Sequence, residues 1–257
     1  MRLDHKTIQD IAVQLADAEK NRVPVPRIET RYPEIDYANA RCIALARDEL
    51  RVVEGRRRLG YKLGWTSSAM RDALGIDQPN WGTLWDYMQI GSEVAASQFI
   101  HAKAEPEIAF IATENLTGQP TSQDVIDSKG YWALAIEIVD PRWPSYEFSF
   151  EENTADNSSA AGFVLGEKFQ FKGDPNEIEI RFSSQDGARV GRGANAMGSP
   201  AEAVAWFTGC LNADGTPLFA GDIVLTGGLT APADIFAGQS LRVESRGLPT
   251  VTVDITG

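Results

Sequence analysis

Ala104-Glu105-Pro106-Glu107-Ile108-Ala109-Phe110, followed further along by Ala135-Ile136-Glu137-Ile138-Val139, decides the fold. Both segments are rich in apolar and β-branched residues and read as buried strands, yet both carry carboxylates. Side chains alternate faces along a strand, so Glu105, Glu107 and Ala109 share one face while Ile108 and Phe110 take the other. On the second strand Glu137 lies with Ala133, Ala135 and Val139, opposite Leu134, Ile136 and Ile138. Two acid-bearing faces lined by alanine leave a polar hole. Three ionised carboxylates in a half-dry site repel one another unless a cation sits between them. An all-oxygen donor set suits a hard divalent ion, Mg²⁺ or Mn²⁺. The plainer reading is an edge strand with Glu105 and Glu107 in solvent, which Pro106, lacking an N–H, also favours.

At 257 residues the chain is long enough for one large core or two small domains, and its 43% apolar content is that of a globular protein. A run of eighteen apolar residues and a basic-then-apolar leader are both missing, which predicts neither a membrane span nor a secretory signal. Cys42 and Cys210 stand far apart with no CxxC pairing, so each is expected to be a reduced thiol, consistent with the cytoplasm. A net charge of −12 argues against nucleic acid and anionic membranes as partners. His5 and His101 are the only histidines, which excludes a histidine-rich zinc site.

Residues 4–20 carry Ile8, Ile11, Ala12, Leu15 and Ala18 at helical spacing. A second helix is predicted after Asp36, with Cys42, Leu45, Ala46, Leu50 and Val53 on its inner side and Arg56-Arg57-Arg58 at its carbonyl end. Gly60 to Ser67 reads as a strand entering a helix capped by Thr66 or Ser67, with Met70, Ala73 and Leu74 inward and Gly75 at its end. Lys62 is unusual, lying mid-strand among glycines and aromatics. It either snorkels or, beside carboxylates in a cavity, serves as an acid/base or anion holder. Gly75 to Gly82 reads as a connector or a lid. The stretch Thr154 to Gly162 either caps a local turn or brings Asp156 and Ser158 to a pocket rim. Gly191-Arg192-Gly193-Ala194-Asn195-Ala196 formally matches a dinucleotide fingerprint. The next helix starts only at Ser199-Pro200-Ala201-Glu202, so the strand–turn–helix context is missing. Ile223 to Thr226 reads as a core strand, and Gly227-Gly228 after it permits close approach by a strand or a ligand. The simplest division is a helical N-terminal region, residues 1–58, ahead of a β-rich core, residues 59–257, forming one structural unit.

Taken in order, these segments resemble the hydratase/decarboxylase branch of the fumarylacetoacetate hydrolase superfamily, the 2-oxopent-4-enoate hydratases and 4-oxalocrotonate decarboxylases of aromatic meta-cleavage pathways. The matching blocks are Lys62 to Ser67, Leu74 to Gly82, Glu105 to Phe110, Glu137 to Asp140, Ala155 to Ser159, Gly191 to Gly198 and Gly221 to Gly228. The resemblance implies an α+β fold, with the mixed β-sheet core of that superfamily and a helical N-terminal region. It also implies a homo-oligomer, Glu105, Glu107 and Glu137 as ligands of Mg²⁺ or Mn²⁺, and Lys62 in the active site. The glycine loop reads Ala194-Asn195-Ala196-Met197 where relatives often have Ala-Ala-Ala-Leu.

The activity expected from this resemblance is hydration of 2-hydroxypenta-2,4-dienoate to 4-hydroxy-2-oxopentanoate. Lys62 is the first candidate for proton transfer, Asp77 the second, and Ser158, Thr230 and Asp156 are candidates for binding a small 2-oxo or 2-hydroxy dienoic acid. The alternative is decarboxylation of 2-oxohex-3-enedioate, whose second carboxylate calls for Arg71, Arg142 or Arg192. Hydrolysis of a C–C bond would need His101 as base, and a non-catalytic partner subunit would be expected to have lost part of the lysine–glutamate set.

Overall fold

Period-two alternation in the acid-bearing segments does produce strands, and they are neighbours. The computed structural model describes residues 3–257. In chain order the elements are α1 (His5–Asn21), α2 (Tyr37–Val53), β1 (Arg58–Gly64), α3 (Ser68–Leu74), β2 (Asn80–Trp85), β3 (Glu93–Ala95), β4 (Lys103–Ile111), α4 (Ser122–Asp127) and β5 (Tyr131–Val139). There follow α5 (Phe150–Ala155), β6 (Ala160–Leu165), β7 (Glu179–Ser184), β8 (Gly187–Arg192), α6 (Pro200–Ala213), β9 (Ile223–Leu225), β10 (Ala233–Asp234), β11 (Ser240–Glu244) and β12 (Val251–Thr256). One mixed sheet runs β2-β1-β9-β4-β5-β6, with β10 paired to the end of β4, and a second runs β3-β12-β11-β7-β8. The β1–β9 and β3–β12 pairs are parallel and the rest antiparallel. The fold is therefore α+β.

The main core lies between the two sheets and α6. Ile108, Phe110, Leu134, Ile136 and Ile138 of the first sheet meet Phe182, Val243 and Val253 of the second, with Phe207 from α6. The opposite face of β4 and β5 carries the small Ala109, Ala133 and Ala135. Pro106 sits in the middle of the sheet, not at an edge, opposite Ile136 of β5.

Capping follows the sequence closely. Asp36 accepts from the Asn39 amide to open α2, Ser67 accepts from Met70 to open α3, and Gly75 closes α3 in a left-handed conformation. Two faces differ from expectation. α2 turns Ala40, Ile43, Ala44, Arg47 and Arg51 inward and leaves Leu45 and Val53 exposed. The reason is electrostatic: Glu19 and Asp156 pair the two arginines, so charged letters occupy the buried stripe. α3 buries none of its residues, and Met70 and Leu74 are exposed. The Arg56–Arg58 run does not close α2 either; Arg51 occupies its last turn and Arg58 enters β1. The glycine loop after β8 forms a single 3₁₀ turn, Gly193–Asn195, before α6, which is not a dinucleotide-binding geometry.

α1 and α2 pack on each other and on Trp143 and Ala155 of the core. Among the described residues no helix is long and apolar enough to cross a membrane, and Cys42 and Cys210 are unpaired.

Candidate active site

Register assembles the acids. In the antiparallel β4–β5 pair Glu105 stands opposite Glu137 and Glu107 opposite Ala135, so the three carboxylates project from one face of adjacent strands. One oxygen from each lies within 4.8 Å of the others. Glu107 and Glu137 are fully buried, and Glu105 reaches the wall of a cavity of about 250 Å³. The glycines after β9 close the back of the site. The Gly227 amide donates to Glu107 Oε2 at 2.8 Å, and a Cβ at Gly228 would lie 2.9 Å from Glu105 Oε2.

Lys62 enters from β1, which β9 separates from the acid strands. It pairs with Leu225 on β9, which pairs with Ala109 on β4, and its Nζ lies 3.1 Å from Glu137 Oε1. Nζ also donates to the Ser158 carbonyl at 2.9 Å. Burial pulls the Lys62 ammonium down, but the charges of Glu137, Glu105 and Glu107 outweigh it and its pKa lies above the ordinary lysine value. Burial, then the charges of Glu137 and Glu105, raise Glu107 well above the carboxylate range. Glu137 is pushed up to about 7 by burial, with Lys62 pulling against it. Glu105 is raised by burial, opposed by Lys62 and Lys103.

These groups fit a divalent cation. Glu107 Oε1 and Glu137 Oε2 are buried and accept no hydrogen bond, and Glu137 Oε1 meets only the Lys62 ammonium, an expensive state for two neighbouring carboxylates. Three carboxylates face one ammonium, a formal charge of −2 if all are ionised. Hard oxygen donors without a competing histidine or thiol match Mg²⁺ or Mn²⁺.

Ser158 and Thr230 line the same cavity as Lys62 and Glu105. Asp77 does not: it is exposed on the loop between α3 and β2, outside the cavity lining. Asp156 is a correction. It is fully buried behind the cavity, where Arg142 Nε donates to its Oδ1 at 2.6 Å and Arg47 Nη1 at 3.0 Å, so it is not free to bind substrate. His101 also stays out of the lining, with Nε2 3.0 Å from the Pro141 carbonyl. Sequence reasoning missed Asn80, Asn153 and Trp65. Asn80 Nδ2 and Trp65 Nε1 both donate to Asn153 Oδ1, and Ser158 Oγ donates to Asn80 Oδ1. Trp65 and Asn80 fall within the Lys62–Ser67 and Leu74–Gly82 blocks and Asn153 within neither, and long-range hydrogen-bond partners cannot be read from spacing.

No family model matches the chain. Curated relatives do. A 2-keto-4-pentenoate hydratase of Paraburkholderia phymatum is 33% identical over 254 residues, 96% of this chain and 97% of that one. A 4-oxalocrotonate decarboxylase of Pseudomonas putida is 27% identical, covering 97% of each. Among solved structures, the 4-oxalocrotonate decarboxylase of Pseudomonas putida G7, complexed with magnesium and adipate, superposes with a TM-score of 0.93 at 27% identity, covering 99% of this chain and 100% of that one. The fumarylpyruvate hydrolase of Pseudomonas aeruginosa shares the fold at a TM-score of 0.60 and 16% identity, over 78% of this chain and 89% of that one. The acid-bearing strand pair, the lysine on β1 that reaches it across β9, and this full-length identity make the chain a member of the 2-keto-4-pentenoate hydratase family, with a fold shared by fumarylacetoacetate hydrolase family proteins.

Proposed function

We propose that the chain is a divalent-metal-dependent hydro-lyase that converts 2-hydroxypenta-2,4-dienoate, or a close 2-oxo or 2-hydroxy dienoic acid, to the 4-hydroxy-2-oxo acid. The observation that favours hydration over decarboxylation is the charge of the cavity wall. Among the described residues Lys62 is its single cationic side chain. A diacid needs a second cation, and the three arginines expected for that role stand elsewhere. Arg71 donates to the Trp65 carbonyl, Arg142 is held by Asp156, and Arg192 is exposed and paired with Glu179. Trp65, Met70, Val139, Phe148 and Pro232 line the cavity instead and suit a short hydrocarbon tail.

Glu105, Glu107 and Glu137 would hold the Mg²⁺ or Mn²⁺ ion, which when bound supplies a Lewis acid that polarises the substrate's 2-oxygen. Lys62, charged in the resting site, holds a proton at Nζ and moves it. Ketonisation of the dienol removes the 2-hydroxyl proton and adds one at C5; water then adds hydroxyl at C4 and a proton at C3. The Ser158 carbonyl orients Nζ, and Thr230, at the cavity rim, is placed to hold substrate or water by its hydroxyl. Asp77, exposed and off the wall, has no part in this reading. The chain is also read as a homo-oligomer, supported by the exposed apolar Leu45, Val52 and Val53 on α2.

The test offers purified Mg²⁺-loaded protein the monoacid dienol and, separately, 2-oxohex-3-enedioate. Formation of 4-hydroxy-2-oxopentanoate with no CO₂ from the diacid is expected. CO₂ from the diacid and no reaction with the monoacid would overturn the choice.

A further inference from the structure

Asn157, Ser158 and Ser159 stand at φ of 54°, 51° and 55°, three successive non-glycine residues in the left-handed region. L-residues visit that region singly and at a cost, so a run of three persists only where its surroundings impose it. The surroundings here are a buried charged clamp. Arg142, with no solvent exposure, donates through its main-chain N–H to Asp156 Oδ2 and through Nε to Asp156 Oδ1. Its Nη2 reaches the Asp156 carbonyl and its Nη1 the Ala160 carbonyl at 3.0 Å. One guanidinium therefore grips the main chain immediately before and immediately after the turn. Arg47 of α2 adds a second charged contact to Asp156.

On its inner side the turn is pressed against β1 and β2. A Cβ at Gly82 would lie 2.1 Å from the Asn157 carbonyl oxygen, and one at Gly64 would lie 2.4 Å from Ser158 Oγ. Asn157 locks the contact, accepting from the Thr83 amide at 2.7 Å and donating to the Thr83 carbonyl at 3.0 Å. What this placement delivers is the Ser158 carbonyl, 2.9 Å from Lys62 Nζ. Arg142 follows Glu137 on the same segment, so the clamp ties the lysine's acceptor to the strand that carries its ion-pair partner.

We propose that Asp156 and Arg142 are positioning residues. Through the left-handed turn they fix where the Ser158 carbonyl holds the Lys62 ammonium, without touching substrate. The proposal rests on the reading of Lys62 as the proton-transfer group. Misplacing such a group by about 1 Å costs up to about 100-fold in rate while leaving binding largely intact.

The test uses Mg²⁺-loaded protein and 2-hydroxypenta-2,4-dienoate, well below each variant's unfolding temperature. Asp156→Asn is expected to lower kcat by about 10- to 100-fold, with KM and the Mg²⁺ dissociation constant within about threefold of wild type. Asn157→Ala, which leaves both arginines paired and removes the bonds to Thr83, is expected to show the same split and carries the test if Asp156→Asn does not fold. In a Lys62→Met background Asp156→Asn should cost nothing further, because the group it positions is gone. Wild-type kcat in either folded variant, or a full additional loss in the Lys62→Met background, would overturn the proposal. Wild-type turnover in Lys62→Met alone would instead sink the reading of Lys62, and the proposal with it.

Discussion

Lys62 and the three glutamates make opposite demands, and substitution separates them. Lys62→Met removes the proton carrier, so turnover should fall by about 10²- to 10⁴-fold. It also removes a positive charge 3.1 Å from Glu137, so Mg²⁺ should bind at least as tightly as in wild type. A titration in which the variant binds Mg²⁺ more weakly would contradict this division of labour. The raised carboxylates give a pH prediction for the metal-free protein. Glu137 titrates near 7 when folded and near 4.5 when unfolded, so between those values the folded state holds a proton that the unfolded state does not. Stability from this group is therefore greatest at low pH and declines as pH rises through that window. Metal binding must displace the same protons, so the rise in Tm on adding Mg²⁺ should be small at about pH 5.5 and larger at about pH 8. A pH-independent rise would count against Glu137 as a ligand.

At the scale of elements, the loop after β9 is as much part of the site as the strands are. Gly227 has a φ of +108°, and a Cβ there would lie 1.9 Å from Thr66 Oγ1, while its amide donates to Glu107. Gly227→Ala should cost about 1–3 kcal/mol in urea unfolding and weaken Mg²⁺ binding by disturbing Glu107; unchanged stability would show that the loop is not constrained as described. This glycine pair, the strand carrying Lys62 and the two acid strands were all legible in the sequence, because alternation and glycine placement are local signals. The inner face of α2 was not. Counting apolar letters put Leu45 and Val53 inside, whereas Arg47 and Arg51 are there, paired with partners more than twenty residues away along the chain. Asp156 failed for the same reason: its letter suggested a pocket rim, and its buried arginine partners determine otherwise. β2 was read as loop up to Gly82 because its turn-forming residues at 75–79 run straight into a buried strand.

For the whole molecule, α1 and α2 meet the β-rich core through Trp143, which is 1% exposed, and through the chain of ion pairs from Glu19 to Arg47 to Asp156 to Arg142. We propose that the two regions unfold together. Trp143→Ala should lower stability by about 3–5 kcal/mol, with helical and aromatic signals still lost in one transition; two separated transitions in the wild-type protein would refute the single unit. Register and burial bring three strand-borne carboxylates together, with one ammonium beside them and with Glu107 Oε1 and Glu137 Oε2 unpaired, and that arrangement calls for a cation. The measurement that addresses it most directly is a calorimetric titration of Mg²⁺ into metal-free protein, wild type beside Glu107→Gln. One site per chain in the wild type, weakened by about 100-fold or more in the variant while its fold is retained, is the predicted result. Equal Mg²⁺ affinity in the two proteins would contradict it.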